Sequence, residues 1–206
     1  MGGNLLRFDG WIFGAAFASG DRFVAGRWPV SPLGSFADVM WARPDRTRVL
    51  LAPTEDILGF VGRHYVFEEQ RVTPVHVDVT ARRLRVAAPP LVMELDMDPP
   101  GTLSWLLSLR PRWLRTSRPW IAVEDAALRP LVTPLLGGGA GIRARGRTNA
   151  GAREWYAIHA YRSATARAWL EGVDLGHAVP GRAGRFGFSE FPPTPAAVRV
   201  TSMIER

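Results

Sequence analysis

The stretch Arg153-Glu154-Trp155-Tyr156-Ala157-Ile158-His159-Ala160-Tyr161-Arg162 gathers acid–base and aromatic groups at strand spacing. On an extended backbone, alternate side chains share a face. Arg153, Trp155, Ala157, His159 and Tyr161 are therefore expected on one face, and Glu154, Tyr156 and Ile158 on the other. A row of Trp155, His159 and Tyr161 inside a β-barrel would make a pocket wall with one titratable group. His159 or Tyr156 would then be the proton donor. The same row would serve equally well as a cross-strand aromatic ladder that only packs.

A second candidate is the run Glu94, Asp96 and Asp98, three carboxylates alternating with Met93, Leu95 and Met97. Buried together they would repel and raise one another's pKa, which would make Glu94 an acid–base candidate; on an outer face they are simply solvated. The four histidines, His64, His76, His159 and His177, lack helical metal-ligand spacing, so no metal site is expected. His64 falls on the apolar face of a helix and reads as a core residue. With neither cysteine nor lysine in the chain, thiolate and Schiff-base chemistry are both out of reach. No Gly-x-Ser-x-Gly elbow occurs. Gly137 to Gly141 reads as a turn, because a phosphate loop would end in Gly-Lys-Ser/Thr. No cofactor is implied.

Arg110, Arg112, Arg115 and Arg118 interleave with Trp105, Trp113 and Trp120. Basic and aromatic groups in this order can hold single-stranded nucleic acid or anchor a helix at a membrane surface. They can also cover a barrel mouth, with the arginine heads reaching water.

These groups must be positioned by elements that read mostly as strands. Leu6 to Phe17 is a first strand, interrupted near Asp9-Gly10. Arg22 to Trp28 follows the Gly20-Asp21 turn. Phe36 to Ala42 and Thr47 to Ala52 form a hairpin around Pro44-Asp45. A helix capped by Thr54 carries Ile57, Phe60, Val61, His64 and Tyr65 at helical spacing. A strand-rich run from Val72 to Val79 leads to Leu84 to Ala88 and Leu91 to Met97. Helices are expected at about Thr102 to Leu109 and, shorter, from Val123-Glu124-Asp125 to before Pro130. Trp155 to Tyr161, Ala164 to Leu170, Arg185 to Phe188 and Ala197 to Ile204 return to strand, with a turn at Gly181 to Gly184. The pattern is mainly β. It fits an antiparallel β-barrel or strongly curved sheet with one to three short helices, in one domain over 1–206. An open α+β sheet is the alternative.

The 206 residues carry a net charge of +7, and all 26 basic side chains are arginine. The arginines are dispersed and alternate with acids, so nucleic acid is not the expected partner. No basic, apolar leader opens the sequence, and no apolar run is long enough to span a bilayer, so a cytoplasmic location is expected. The opening Phe8-Asp9-Gly10-Trp11 and the meander after it resemble calycin-type (lipocalin-like) barrels, in which an early tryptophan closes one end. The arrangement is also similar to actinobacterial proteins of this length. Gly10 directly precedes Trp11, so the lipocalin Gly-x-Trp signature is absent and no residue role carries over.

Eight tryptophans and ten phenylalanines in a β-rich chain without a cofactor motif point to a barrel that holds a small apolar or aromatic molecule. It would act as a carrier or a cofactor-free isomerase or cyclase, with Trp11, Trp155, His159, Tyr161 and Trp169 lining the site. The alternative is a non-enzymatic interaction protein that uses 105–120 for nucleic acid, a membrane surface or another protein. Whether a reaction occurs, and the oligomeric state, are left open by the sequence.

Overall fold

A computed structural model describes residues 4–111, 113–128, 141–181 and 184–205. Arg112, residues 137–140 of the glycine-rich turn and the middle of the Gly181 to Gly184 turn lie outside the described residues. The strands are β1 (Leu5–Phe17), β2 (Arg22–Val30), β3 (Phe36–Ala42), β4 (Arg48–Ala52), β5 (Glu69–Val72), β6 (His76–Val79) and β7 (Arg83–Ala88). They continue with β8 (Leu91–Met97), β9 (Arg145–Arg147), β10 (Arg153–Leu170), β11 (Val173–Asp174), β12 (Ala178–Val179) and β13 (Ala196–Glu205). Helices α1 (Glu55–His64), α2 (Thr102–Ser108) and α3 (Arg118–Val123) join them, and α3 runs into a π-helical turn over Glu124–Leu128.

One ladder runs β5-β4-β3-β2-β1-β13-β10-β8-β7-β6, with β9 and β11 on β10 and β12 on β1. All its pairings are antiparallel except β4 with β5, which α1 connects as a crossover. The ladder has two ends, β5 and β6, so of the two mainly-β expectations the strongly curved sheet is the one realised. The two strands expected at Trp155 to Tyr161 and Ala164 to Leu170 are a single strand of 18 residues, β10. Its first half pairs with β13 and its second half with β8, so β10 carries the bend between the two halves of the sheet. The strand expected at Arg185 to Phe188 is a series of bends.

Curling brings the odd-numbered side chains of β1 (Phe13, Ala15, Phe17) against Val86, Met93 and Leu95 of β7 and β8. This main core is filled by side chains. Removing a large apolar side chain from water contributes about 1.5–3 kcal/mol, so a core of this size accounts for the curl. The even-numbered positions point the other way. Phe8, Phe36, Leu50 and Ile204 pack under Ile57, Leu58 and Val61 of α1. Thr54 caps α1, accepting the Ile57 N–H at 3.4 Å, and Glu55 and Asp56 lie in its first turn.

Candidate functional site

A cavity of about 270 Å³ lies on the α1 side of the sheet, on the opposite face from the main core. That volume is near the lower end for small-molecule sites, about 300–1,000 Å³. Its floor is the even-numbered side of β1, β2, β3 and β13, including Ile12, Val24, Met40 and Val200. Phe60 and Val61 of α1, Tyr65 at its C-terminal cap, and Phe186 and Phe191 of the segment before β13 close it on one side. Leu103, Leu107 and Arg110 close it on another.

The floor is shaped around Trp28. A Cβ on Gly26 would stand 2.4 Å from its Nε1, and one on Gly10 would strike the Arg27 carbonyl at 2.0 Å, with the indole 3.0 Å away. Glycine inside a strand marks such a close approach. The indole N–H donates to Asp38 at 3.1 Å. Asp38 is buried, lines the cavity, and has its pKa pushed up to about 7 by desolvation, against which the Trp28 hydrogen bond acts.

A second polar group sits where α1 meets β10. The Tyr65 hydroxyl donates to Glu154 Oε1 at 2.6 Å, and the Ser202 hydroxyl donates to the same oxygen at 2.9 Å. Tyr65 and Tyr156 are 3.0 Å apart, oxygen to oxygen. The Tyr156 hydroxyl also lies within reach of Glu154, so its one proton stays within this cluster and its oxygen keeps lone pairs for another group. Tyr65, Tyr156 and Ser202 line the cavity, with Glu154 buried behind them. Burial raises the Glu154 pKa despite its hydrogen bonds. Burial, then the neighbouring Glu154, holds both tyrosines well above the usual phenol value, so both hydroxyls stay protonated. Phe188 stacks on Tyr156 with 5.3 Å between ring centres.

The expected row of Trp155, His159 and Tyr161 is broken by a bulge. The β10–β13 register slips between Ile158 and Ala160, which makes His159 an inserted residue. Tyr161 is therefore turned to the cavity beside Tyr156 and Ile158. Trp155 stays on the other face, packed with Ala157, Met203 and Ile121 of α3, and Arg118 lies over its ring at 5.2 Å. His159 is outside the cavity lining. Its Nε2 is 2.8 Å from Thr201 Oγ1, and Thr201 in turn donates to Asp9. Desolvation, with Arg110 and Arg199 nearby, lowers its pKa to about 4.

Trp11 packs against the main core, and Trp169, between Val92 and Asp174 in the ladder, belongs to the far half of β10. Neither lines the cavity. Glu94 lies on the outer side of β8 with Arg85 at 3.6 Å, and Asp96 beside it pairs with Arg83 at 3.0 Å. His64 is buried, with Nδ1 3.1 Å from Thr148 Oγ1. The arginines described in the Arg/Trp segment turn to intramolecular partners. Arg110 pairs with Glu124 at 2.8 Å, Arg115 donates to the Arg110 and Ser108 carbonyls, and Arg118 pairs with Glu205. Trp105 and Trp113 face outward, 60% and 76% exposed. Among the described residues no group of three or more His, Asp or Glu side chains could hold a metal ion, and no helix is long and apolar enough to cross a membrane.

Asp38, Tyr65 and Ser202 are site residues that the sequence pattern does not single out. Asp38 is the one acid on the face shared by Phe36 and Met40, and an ionisable group in line with large apolar ones is a readable signal. Tyr65 ends the helical pattern, and its meeting with Glu154 depends on tertiary packing alone.

No family model matches the chain, and no curated protein matches it. Among solved structures, the fold is similar to an acetoacetate decarboxylase from Legionella pneumophila subsp. pneumophila str. Philadelphia 1. The identity is 9%, over 99% of this chain and 85% of that one, with a TM-score of 0.40. It is also similar to CghA, solved with Sch210972, at 12% identity and a TM-score of 0.36. That match covers 98% of this chain, which spans 46% of the length of CghA.

Proposed function

We propose that the protein binds one small, largely apolar or aromatic molecule in the cavity between the sheet and α1. The observation that carries this is a cavity lined mainly by aromatic and aliphatic side chains, with Asp38 at the Trp28 end, Tyr65, Tyr156 and Ser202 at the β10 end, and a rim of charged residues, Glu124, Asp125 and Glu190 among them, paired with arginines. Ligand sites combine an apolar surround with a small number of placed hydrogen-bonding groups in this way. Tyr156 is the group best placed to hold the polar end of the ligand, because its oxygen can accept a hydrogen bond at the cavity wall while Tyr65 and Glu154 fix its orientation. Holding the ligand, as a carrier does, requires nothing further.

Native mass spectrometry of freshly purified protein tests the proposal. Extra mass of roughly a few hundred daltons, lost on denaturation, is the expected result. A bare mass, together with no change in unfolding temperature across a panel of aromatic and aliphatic compounds, would count decisively against it.

A further inference from the structure

The charged groups of the cavity are biased in a way the whole chain is not. In a protein of net charge +7, the lining carries the carboxylates Asp38, Glu124, Asp125 and Glu190 against the guanidiniums Arg110 and Arg143. Three of these acids have an arginine partner. Glu124 meets Arg110 at 2.8 Å, Asp125 meets Arg145 at 3.8 Å, and Glu190 meets Arg185 at 3.1 Å. Asp38 does not. Among the described residues its side chain has one hydrogen-bond partner, the Trp28 indole, and no cation.

Accepting one indole N–H does not require an acid. An asparagine would do the same without the several kcal/mol that desolvating an unpaired carboxylate costs. What an aspartate adds is a negative charge aimed at whatever occupies the cavity. The surroundings suit a particular occupant. Trp28, Phe8, Phe36 and Phe60 line the same end of the cavity, with Phe8 6.1 Å from Trp28, 6.4 Å from Phe36 and 5.3 Å from Phe60 between ring centres. Aromatic rings attract a cation through their electron-rich faces, tryptophan most strongly. A carboxylate set among such rings is a site for an organic ammonium group.

We infer that the ligand of this cavity is an aromatic or alkyl amine, bound as its cation, with Asp38 as counter-ion and Trp28, Phe8 and Phe36 packed around the charged nitrogen. The inference rests on the reading of this cavity as a ligand site and names the class of ligand. The apolar body of the amine lies along Ile12, Met40 and Val200, toward Tyr156.

A matched series of probes tests it by calorimetry on the intact protein at pH 8. The series is phenethylammonium, benzyltrimethylammonium, the neutral isostere phenylethanol and the anion phenylacetate. The two cations are expected to bind at least about tenfold more tightly than phenylethanol, with phenylacetate weakest. In Asp38→Asn, which keeps an acceptor for Trp28, the preference for cations over phenylethanol should vanish. The wild-type series decides the matter even if that variant fails to fold. Phenylethanol binding as tightly as the cations would overturn the amine inference and leave the cavity reading intact. Cations that bind Asp38→Asn as tightly as wild type would overturn Asp38 as the counter-ion. No binding by any probe would also overturn the amine inference, and the native mass measurement would then judge the cavity reading separately.

Discussion

Tyr65, at the end of α1, donates its hydroxyl to Glu154 on β10 at 2.6 Å, so one hydrogen bond joins the roof of the cavity to the sheet beneath it. The Tyr156 hydroxyl lies within reach of both Tyr65 and Glu154, so the three side chains form one buried cluster. Tyr65→Phe and Tyr156→Phe are each expected to destabilise the protein by about 1–3 kcal/mol. Chemical denaturation of the two variants checks both losses. Adding Glu154→Gln to Tyr65→Phe should show a coupling of about 1–2 kcal/mol. Strict additivity would mean that Tyr65 acts through packing alone.

Asp38 and His159 make opposite contributions to the pH dependence of stability. The Asp38 carboxyl is raised from 3.8 to about 7, so the folded protein holds a proton there that the unfolded chain has released. Its contribution is fully present below about pH 4 and is lost as pH rises to about 7. The His159 imidazole is lowered from 6.5 to about 4, so over that interval the unfolded chain holds the extra proton and stability rises with pH. Buried Glu154, whose pKa is also raised, adds a loss in the same sense as Asp38. Relative to wild type, Asp38→Asn should therefore gain stability as pH rises from about 4 to 7, and His159→Gln should lose it from about pH 4 to 6.5. At pH 8, Asp38→Asn should exceed wild type by about 1–4 kcal/mol, since the buried charge is gone. Urea denaturation of the three proteins at pH 4.5, 6 and 8 reads all of this.

Strand positions and α1 were legible because they depend on local patterns: alternation in Leu91 to Met97, and Thr54 with helical spacing after it. The face assignment of β10 was not. Alternation carried through 153–162 assigns Tyr161 to the side of Trp155, but one inserted residue at His159 reverses every position after it. Nothing in Ile158-His159-Ala160 marks a bulge locally, since the slip arises from pairing with β13, a strand distant in sequence. The cavity follows the same logic. Its aromatic content was readable, yet its place outside the main core depends on α1 folding back over Phe8, Phe36 and Ile204. The bare glycine positions under Trp28 were available signals, because Gly10 and Gly26 both interrupt apolar strands.

Gly26→Ala tests how tightly the floor is set. The new methyl would stand 2.7 Å from Asp38 Oδ1 as well as against the Trp28 ring nitrogen, so the indole must move and its hydrogen bond to Asp38 must lengthen or break. Overpacking of this kind costs about 1–3 kcal/mol. Probe binding should fall along with stability. Gly34→Ala, outside the cavity lining, should serve as a different control: a Cβ there meets nothing, but φ is +82°, so the cost is conformational, about 1 kcal/mol, and binding is unchanged. Equal loss of binding in both variants would argue that the floor is not the binding surface.

The outer edge of β10 gives the last test, because a helix stands there in place of a strand. β9 pairs with residues 153–155 and β8 with residues 164–170, which leaves the edge between them without a strand among the described residues. Its backbone groups are met from elsewhere. The Tyr156 N–H donates to the Ala144 carbonyl at 2.8 Å, and the Tyr161 N–H donates to the Ser104 hydroxyl at 3.0 Å. Ser104 returns its own proton to the Tyr161 carbonyl, and Arg110 donates to the carbonyl of Ile158. Arg110 is held in turn by Glu124, which also accepts the Trp120 indole N–H at 2.8 Å. Arg110→Ala thus leaves a largely buried carboxylate and a strand carbonyl short of partners, a loss of about 3–5 kcal/mol. Ser104→Ala should cost about 1–3 kcal/mol. Hydrogen exchange locates the effect: in both variants the Tyr161 amide should exchange faster, while amides of β1 paired with β13 keep their protection relative to global unfolding. Uniform acceleration across β1, β13 and β10 would show instead that α2 supports the sheet as a whole. Local acceleration would identify α2 as the wall that closes the cavity at the gap in the ladder.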